Sequence, residues 1–192
     1  MNGRARRALV AGEAGLARHV AAALAAVGFA VEEVGPGRVP DGKAGETDLV
    51  VALPAIDLAI GDFATLAEQD WVRLAEAPLE RMLDLLAAVS PRLREPGGTV
   101  LIVLPNIGMV GVAGMAAQTM AAEGMRSLAK AVAKAWRPRG IRVNCAILSA
   151  AQLASADEEL ASEIVGVAAA TATAGFVATG NSILIDGEQT SI

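Results

Sequence analysis

Residues 99–144 read TVLIVLPNIGMVGVAGMAAQTMAAEGMRSLAKAVAKAWRPRGIRVN. The segment Val100–Leu104 is a short, unbroken apolar run, as expected of a buried strand. A glycine-rich turn follows, then a long alanine-rich stretch from about Gly114 to Trp136 with helical periodicity, then a second apolar run, Ile141–Ala146. Two buried strands joined by one amphipathic helix form a right-handed βαβ unit of a parallel sheet. In a catalytic protein of this layout, polar side chains line the carboxyl ends of the strands and the adjoining helix face. Those places here hold Pro105, Gln118 and Ala122.

The flanking sequence repeats the alternation. Arg7–Ala11 reads as a first strand, Gly12–Gly15 turns into a helix reaching Val27, and Gly28 stops it. Ala30–Val34 is a second strand. Gly35–Thr47 is rich in glycine and proline and reads as a loop, and Asp48–Leu53 is another buried strand. Asp70 is the expected N-cap of a helix from Trp71 to about Leu93, kinked or split by Pro78. Ser155 and Glu158 have capping-box spacing and should open a helix to about Ala174, before a last strand, Ser182–Ile185, ended by Asp186-Gly187. The expectation is one α/β domain over residues 1–192, with a Rossmann-like, doubly wound, mainly parallel sheet of about six strands.

Composition narrows the function. At 192 residues there is room for one domain with a real core. A net charge of −5 argues against nucleic acid or an anionic membrane as partner. The single cysteine, Cys145, excludes an internal disulfide and reads as a buried core thiol. The basic start Met1–Arg7 is followed by an apolar run interrupted by Glu13 and Arg18, a poor secretory signal. The uncharged stretch Ile164–Ile185 is punctuated by Thr, Gly and Asn, so it reads as a buried helix and strand rather than a membrane span. The expected compartment is the cytoplasm.

Strand one with its turn, the central βαβ unit and the closing Thr179-Gly180 resemble the short-chain dehydrogenase/reductase family over nearly the whole chain. Arg137-Pro-Arg-Gly-Ile-Arg-Val-Asn144 carries the most specific match, to the PRGIRVN at that family's sixth strand, and Asp48-Leu-Val-Val51 matches its fourth. The resemblance implies NAD(P)-dependent chemistry with an Asn, a Ser, a Tyr and a Lys. Aligning Gly108, Gly111 and Gly114 puts Pro105 at the serine position, Gln118 at the tyrosine and Ala122 at the lysine. Counting from Asp70-Trp71 puts Pro78 at the asparagine. The chain has no tyrosine at all. Gln118 hydrogen-bonds but does not titrate, and the other three cannot carry a proton.

Substitute acids are few. Glu123 lies one residue off the expected helix face, about 100° away, and its plain reading is a solvated charge. His19 belongs to the first helix and reads as a surface or helix-packing residue. Arg126, Lys130 and Lys134 repeat every four residues, most simply as a solvent stripe. No catalytic residue and no metal site is therefore expected.

The cofactor side is also altered. The family loop T-G-x-x-x-G-x-G becomes Ala11-Gly12-Glu13-Ala14-Gly15-Leu16-Ala17, one residue short, with Glu13 where phosphate would approach. A carboxylate there can also occupy the positive end of the helix. The ribose-selecting position aligns with Gly35-Pro36, Asn-Asn-Ala-Gly with Ala52-Leu53-Pro54-Ala55, and Pro-Gly with Leu148-Ser149. The third strand and the substrate lid of the family have no counterpart. No cofactor is expected.

The spared helices, Trp71–Leu93 and Gly114–Trp136, with the final helix and strand, correspond to the family's subunit interfaces. Met115, Met120 and Met125 stud the longer helix with adaptable apolar surface. The resulting expectation is a pseudoenzyme subunit that assembles with an active dehydrogenase paralogue, as a heterotetramer. It resembles the inactive partner in the dehydrogenase acting on a hydroxybenzylsuccinyl-CoA in anaerobic toluene breakdown. A divergent NAD(P) oxidoreductase with relocated groups and a stand-alone ligand-binding or regulatory protein stay open as alternatives.

Overall fold

The computed structural model describes residues 4–36, 38 and 43–185. In chain order it contains β1 (Arg6–Gly12), α1 (Ala14–Ala26), β2 (Phe29–Val34), β3 (Leu49–Leu53), α2 (Glu68–Trp71), α3 (Ala77–Val89), β4 (Thr99–Pro105), α4 (Ile107–Val110), α5 (Ala116–Trp136), β5 (Arg142–Leu148), α6 (Ala150–Ser155), α7 (Glu158–Thr171) and β6 (Ser182–Leu184). The strands form one six-stranded sheet in the order β2-β1-β3-β4-β5-β6, parallel at every pairing. This is the expected Rossmann-like α/β sheet. Among the described residues no strand pairs with the outer edge of β2, where the resemblance would put the third strand.

Side chains alternate across the sheet, as a period of two requires. Val50, Ala52, Val100, Ile102, Leu104, Val143 and Ile147 face α3 and α5, where Met82, Leu86, Ala121, Met125 and Ala129 cover them. Leu49, Val51, Leu53, Leu101, Val103, Ala146 and Leu148 face α1 and α7, under Val20, Leu24, Leu160 and Ile164. Both faces are covered, which explains why the strands read as continuous apolar runs.

Cys145 faces the first of these clusters and is 1% exposed. Burial pushes its thiol up from 9.0 to about 12. Folding favours the protonated thiol, so this contribution to stability is complete below pH 9.0 and is lost as the pH rises toward about 12. At pH 8 the folded chain should leave a thiol-reactive disulfide reagent unreacted, and addition of denaturant should release one equivalent.

Two local expectations are corrected, and a third, the split at Pro78, is met. The helix that Asp70 was to cap begins three residues earlier, at Glu68 with Ala67 as N-cap, and Asp70 instead pairs with Arg73 at 3.3 Å. The split at Pro78 takes a specific form. Residues Val72–Glu76 widen into a π-helical turn, and α3 restarts with Pro78 in its first turn, where the missing N–H costs nothing. The capping box is built by Ser149 and Gln152, not by Ser155 and Glu158. Ser149 Oγ accepts from the Gln152 amide (3.1 Å) and Gln152 Oε1 accepts from the Ser149 amide (2.9 Å). Asp157 caps α7 through the Leu160 amide at 2.9 Å, leaving Ser155 to bond the Gln152 carbonyl. The expected stop at Asp186-Gly187 lies outside the described residues.

The PRGIRVN segment is a structural clamp. Arg139 bonds Ser90 and Glu95, and Arg142 bonds the Gly97 and Thr171 carbonyls. Asn144, fully buried, donates to the Ala178 carbonyl at 3.1 Å and accepts from the Asn181 amide at 3.1 Å. Its side chain thus fixes the approach to β6.

Candidate functional site

In a parallel sheet of this kind ligands bind outside the carboxyl ends of the strands. That end holds β3's exit at Pro54, β4's exit at Pro105, the short helix α4 and the first turns of α5. Gln118 and Ala122, the tyrosine and lysine positions, do lie together on one face of α5. They are closed off from solvent, at 2% and 1% exposure.

The chain itself closes them off. After β3 the segment 54–61 folds back over α4 and the start of α5. Ile56 and Leu58, with Val112 and Ala150, pack on a small cluster of Ile107, Met115 and Ala122. Gln118 donates from Nε2 to the Ala59 carbonyl at 2.6 Å, and the Gly61 amide donates to the Gly114 carbonyl at 2.9 Å. The turn is braced by Asp57, which accepts from the Ala59 amide (3.0 Å) and from Arg73 (2.8 Å). The Arg73 guanidinium and that amide hold the Asp57 carboxyl below the usual carboxylate range. Gly114 sits at φ 79°, and a Cβ there would run into the Ile60 side chain. Gly114→Ala should therefore cost about 2 kcal/mol, from left-handed backbone plus collision. Amide hydrogen exchange should show the loss concentrated in residues 56–62, with the sheet unaffected.

The remaining positions follow the same pattern. Pro105 is buried at the end of β4, its backbone in register with Leu148. Pro78 is buried in the first turn of α3. Glu123 is not a solvated charge. It is half-buried beneath Gly108, where a Cβ would strike it, and pairs with Arg126. The carboxylate raises the Arg126 pKa above its ordinary value, mainly through their hydrogen bond. Lys130 and Lys134 are exposed as expected, but Arg126 is not part of a free stripe. His19 lies between α1 and α7, with Nδ1 4.0 Å from Glu158, a helix-packing place. Among the described residues no group of three His, Cys, Asp or Glu side chains is arranged to hold a metal ion.

The glycine turn after β1 serves packing. A Cβ on Gly12 would stand 2.8 Å from Leu53 Cβ and 3.4 Å from Ala17 Cβ, so this glycine serves the close approach of β1, β3 and α1. Glu13 is the N-cap of α1 by backbone, yet its carboxylate makes no capping bond, contrary to expectation. It stands exposed at the mouth of a cavity of about 260 Å³ that runs past Gly15, Pro54, Leu58 and Pro105 under Leu153 of α6. The match to a dinucleotide is poor: Glu13 puts a carboxylate where phosphate would approach, and residues 56–59 pack over the Gln118 and Ala122 positions.

Sequence reading missed three features here. The fold-back of residues 54–61 carries no periodicity to announce it. Helix α4 spans four residues, too few for a period. Asn106, only 8% exposed at the carboxyl end of β4, was passed over beside Pro105, and its backbone N–H donates to the Leu148 carbonyl at 2.7 Å.

A family model described as Enoyl-(Acyl carrier protein) reductase matches residues 41–183, well over half the chain. No curated protein matches the sequence. Among solved structures, a short-chain dehydrogenase/reductase from Serratia marcescens BCRC 10948 is 20% identical at a TM-score of 0.77, covering 95% of this chain and 96% of its own. The TT0495 protein from Thermus thermophilus is 24% identical at 0.73, covering 95% and 97%. A short-chain dehydrogenase/reductase from Brucella melitensis, described as a glucose/ribitol dehydrogenase, is 20% identical at 0.76, covering 97% and 98%. At these identities the likeness to the structures concerns the fold. Among the described residues no helix is long and apolar enough to cross a membrane.

Proposed function

Since this chain belongs to the short-chain dehydrogenase/reductase family, yet covers its own tyrosine and lysine positions with residues 54–61, we propose that it is a non-catalytic subunit. It assembles in the cytoplasm with an active dehydrogenase paralogue, as a heterotetramer, and supports an alcohol dehydrogenase acting on a hydroxyacyl-CoA-type substrate. The observation that carries this reading is the burial of Gln118 and Ala122 beneath the chain's own backbone. A proton donor restored at either position would meet Ala59 or Ile107 rather than substrate.

The assembly half of the reading is supported by what α3 and α5 leave uncovered. Leu83 is 50% exposed and Met120 37%, on helices that share the same side of the sheet. Two helices with apolar residues outward are what an obligate interface uses. Met115 and Met125 do not contribute, being 5% and 0% exposed; Met115 belongs to the sealed cluster and Met125 to the core.

A first test is cofactor binding. Isothermal titration of the purified chain with NAD or NADP at millimolar concentration should give no saturable heat, because Glu13 opposes phosphate and residues 56–59 cover Gln118 and Ala122. Saturable binding with a defined stoichiometry would sink the non-catalytic reading. The assembly half is tested by co-expression with the paralogue.

A further inference from the structure

We propose that the surface formed by residues 57–76 and the first turn of α5 docks a short basic amphipathic helix of a protein partner. The apolar face of that helix covers Ile60 and Phe63, and its lysines or arginines meet Asp62 and Glu68. Ile60 is 73% exposed and Phe63 63%, and Val72 is exposed as well. The chain has only three phenylalanines and two tryptophans. One of each meets here, since Phe63 and Trp71 pack edge to face with ring centres 6.1 Å apart. Beside Phe63 a groove of about 190 Å³ runs past Ile60, Leu66, Ala116 and Ala117. Exposed aromatic and aliphatic side chains around a groove are what a partner helix uses as anchors.

The surface is built in advance. Asp62 Oδ1 accepts from the Ala64 amide at 3.0 Å, the Thr65 hydroxyl donates to the Asp62 carbonyl at 3.3 Å, and Trp71 Nε1 donates to Glu76 at 3.1 Å. Phe63 and Trp71 are therefore held in place before a partner arrives, which lowers the ordering cost of docking. Charge selects the partner. Residues 57–76 hold Asp57, Asp62, Glu68, Asp70 and Glu76 against one base, Arg73, a net −4 in a chain of −5. Arg73 is committed to Asp57 and Asp70. Asp62 and Glu68 stay exposed and make no ion pair among the described residues. An apolar centre with an acidic rim repels nucleic acid and anionic lipid. It suits an apolar stripe flanked by cationic side chains, the pattern of a basic amphipathic helix. Docking here requires neither the paralogue nor a cofactor, so it stands apart from the subunit reading.

The test is a titration of the ¹⁵N-labelled full chain with acetyl-LKKLLKLLKKLLKL-amide and, separately, with its acidic counterpart acetyl-LEELLELLEELLEL-amide. The basic peptide should give saturable shifts confined to residues 60–76 and 114–117. It should move the Trp71 indole signal and leave that of Trp136 in place. Phe63→Ala should weaken binding about tenfold, as loss of an aromatic anchor does. Glu68→Lys should weaken it about threefold at low salt, and the difference should close as salt is raised. Glu163→Lys makes the same change of net charge at an exposed position of α7, across the sheet, and should leave binding unchanged. Equal binding of the two peptides, shifts scattered over α1 and α7, or no saturable shifts would each overturn the proposal. So would a Phe63→Ala chain that binds like the parent, or a Glu163→Lys chain weakened as much as Glu68→Lys. Concentration-dependent broadening of the same signals without peptide, removed by Phe63→Ala, would overturn it too and assign the face to a second copy of this chain. None of these outcomes bears on the co-assembly test, which uses the paralogue.

Discussion

Ala122→Lys, the change that would restore the family's lysine, is expected to destabilise the chain by about 3 kcal/mol or more and to restore no activity. Ala122 is 1% exposed, and its side chain touches Ile107 and Met115 under Ile56 and Leu58. A lysine there brings four methylenes and an ammonium into a space closed on every side. Glu123, the adjacent half-buried carboxylate on α5, is already paired with Arg126. The ammonium must either lose its proton, at a cost set by burial, or force residues 54–61 to lift. Adding Gln118→Tyr compounds the damage, because the Ala59 carbonyl loses its 2.6 Å donor. Urea denaturation of parent, single and double variants gives the stability difference, and a hydride-transfer assay gives the activity. A double variant as stable as the parent would mean that the fold-back is loosely held. One that turns over an alcohol with NADP would show a working site beneath it.

The scaffold was legible in the sequence for a physical reason. Residues that build the sheet are constrained by packing, and that constraint is visible as unbroken apolar runs and as the PRGIRVN segment. In that segment Arg139, Arg142 and Asn144 tie the end of α3, β4 and the approach to β6 together, a task that requires no catalysis. The catalytic positions were legible for the opposite reason: a proton cannot be handled by Pro105, Ala122 or Pro78, whatever surrounds them. The filled cleft was not legible, because residues 54–61 adopt irregular structure and owe their place to long-range contacts with Gln118 and Gly114. The methionines misled for a geometric reason. A spacing of five advances about 140° around a helix, so Met115, Met120 and Met125 cannot share one face, and only Met120 reaches the exposed side. The capping box was displaced by six residues because Ser149-x-x-Gln152 and Ser155-x-x-Glu158 both fit the pattern. The second also competes with Asp157, a better-placed cap.

Met120→Glu and Leu83→Glu are expected to abolish assembly with the active paralogue while leaving the chain folded. Both side chains are partly exposed in the isolated chain, at 37% and 50%, so a carboxylate at either costs little there. Buried against an apolar partner it loses its water without gaining a counter-charge, costing about 3 kcal/mol, or a hundredfold or more in Kd. Val27→Glu makes the same change at a 57% exposed residue at the end of α1, on the other side of the sheet. It should leave assembly intact. Thermal melts of the three isolated variants separate misfolding from lost association. Loss of the complex in all three would place the interface elsewhere.

The central claim rests most directly on one measurement: the mass, by light scattering, of the species purified when this chain is co-expressed with the short-chain dehydrogenase of its own genome that retains Tyr-x-x-x-Lys. The account predicts a single species containing both chains, of tetramer mass, in which dehydrogenase activity survives removal of every titratable side chain near Gln118. A stable monomer of this chain, eluting apart from a fully active paralogue, would contradict it.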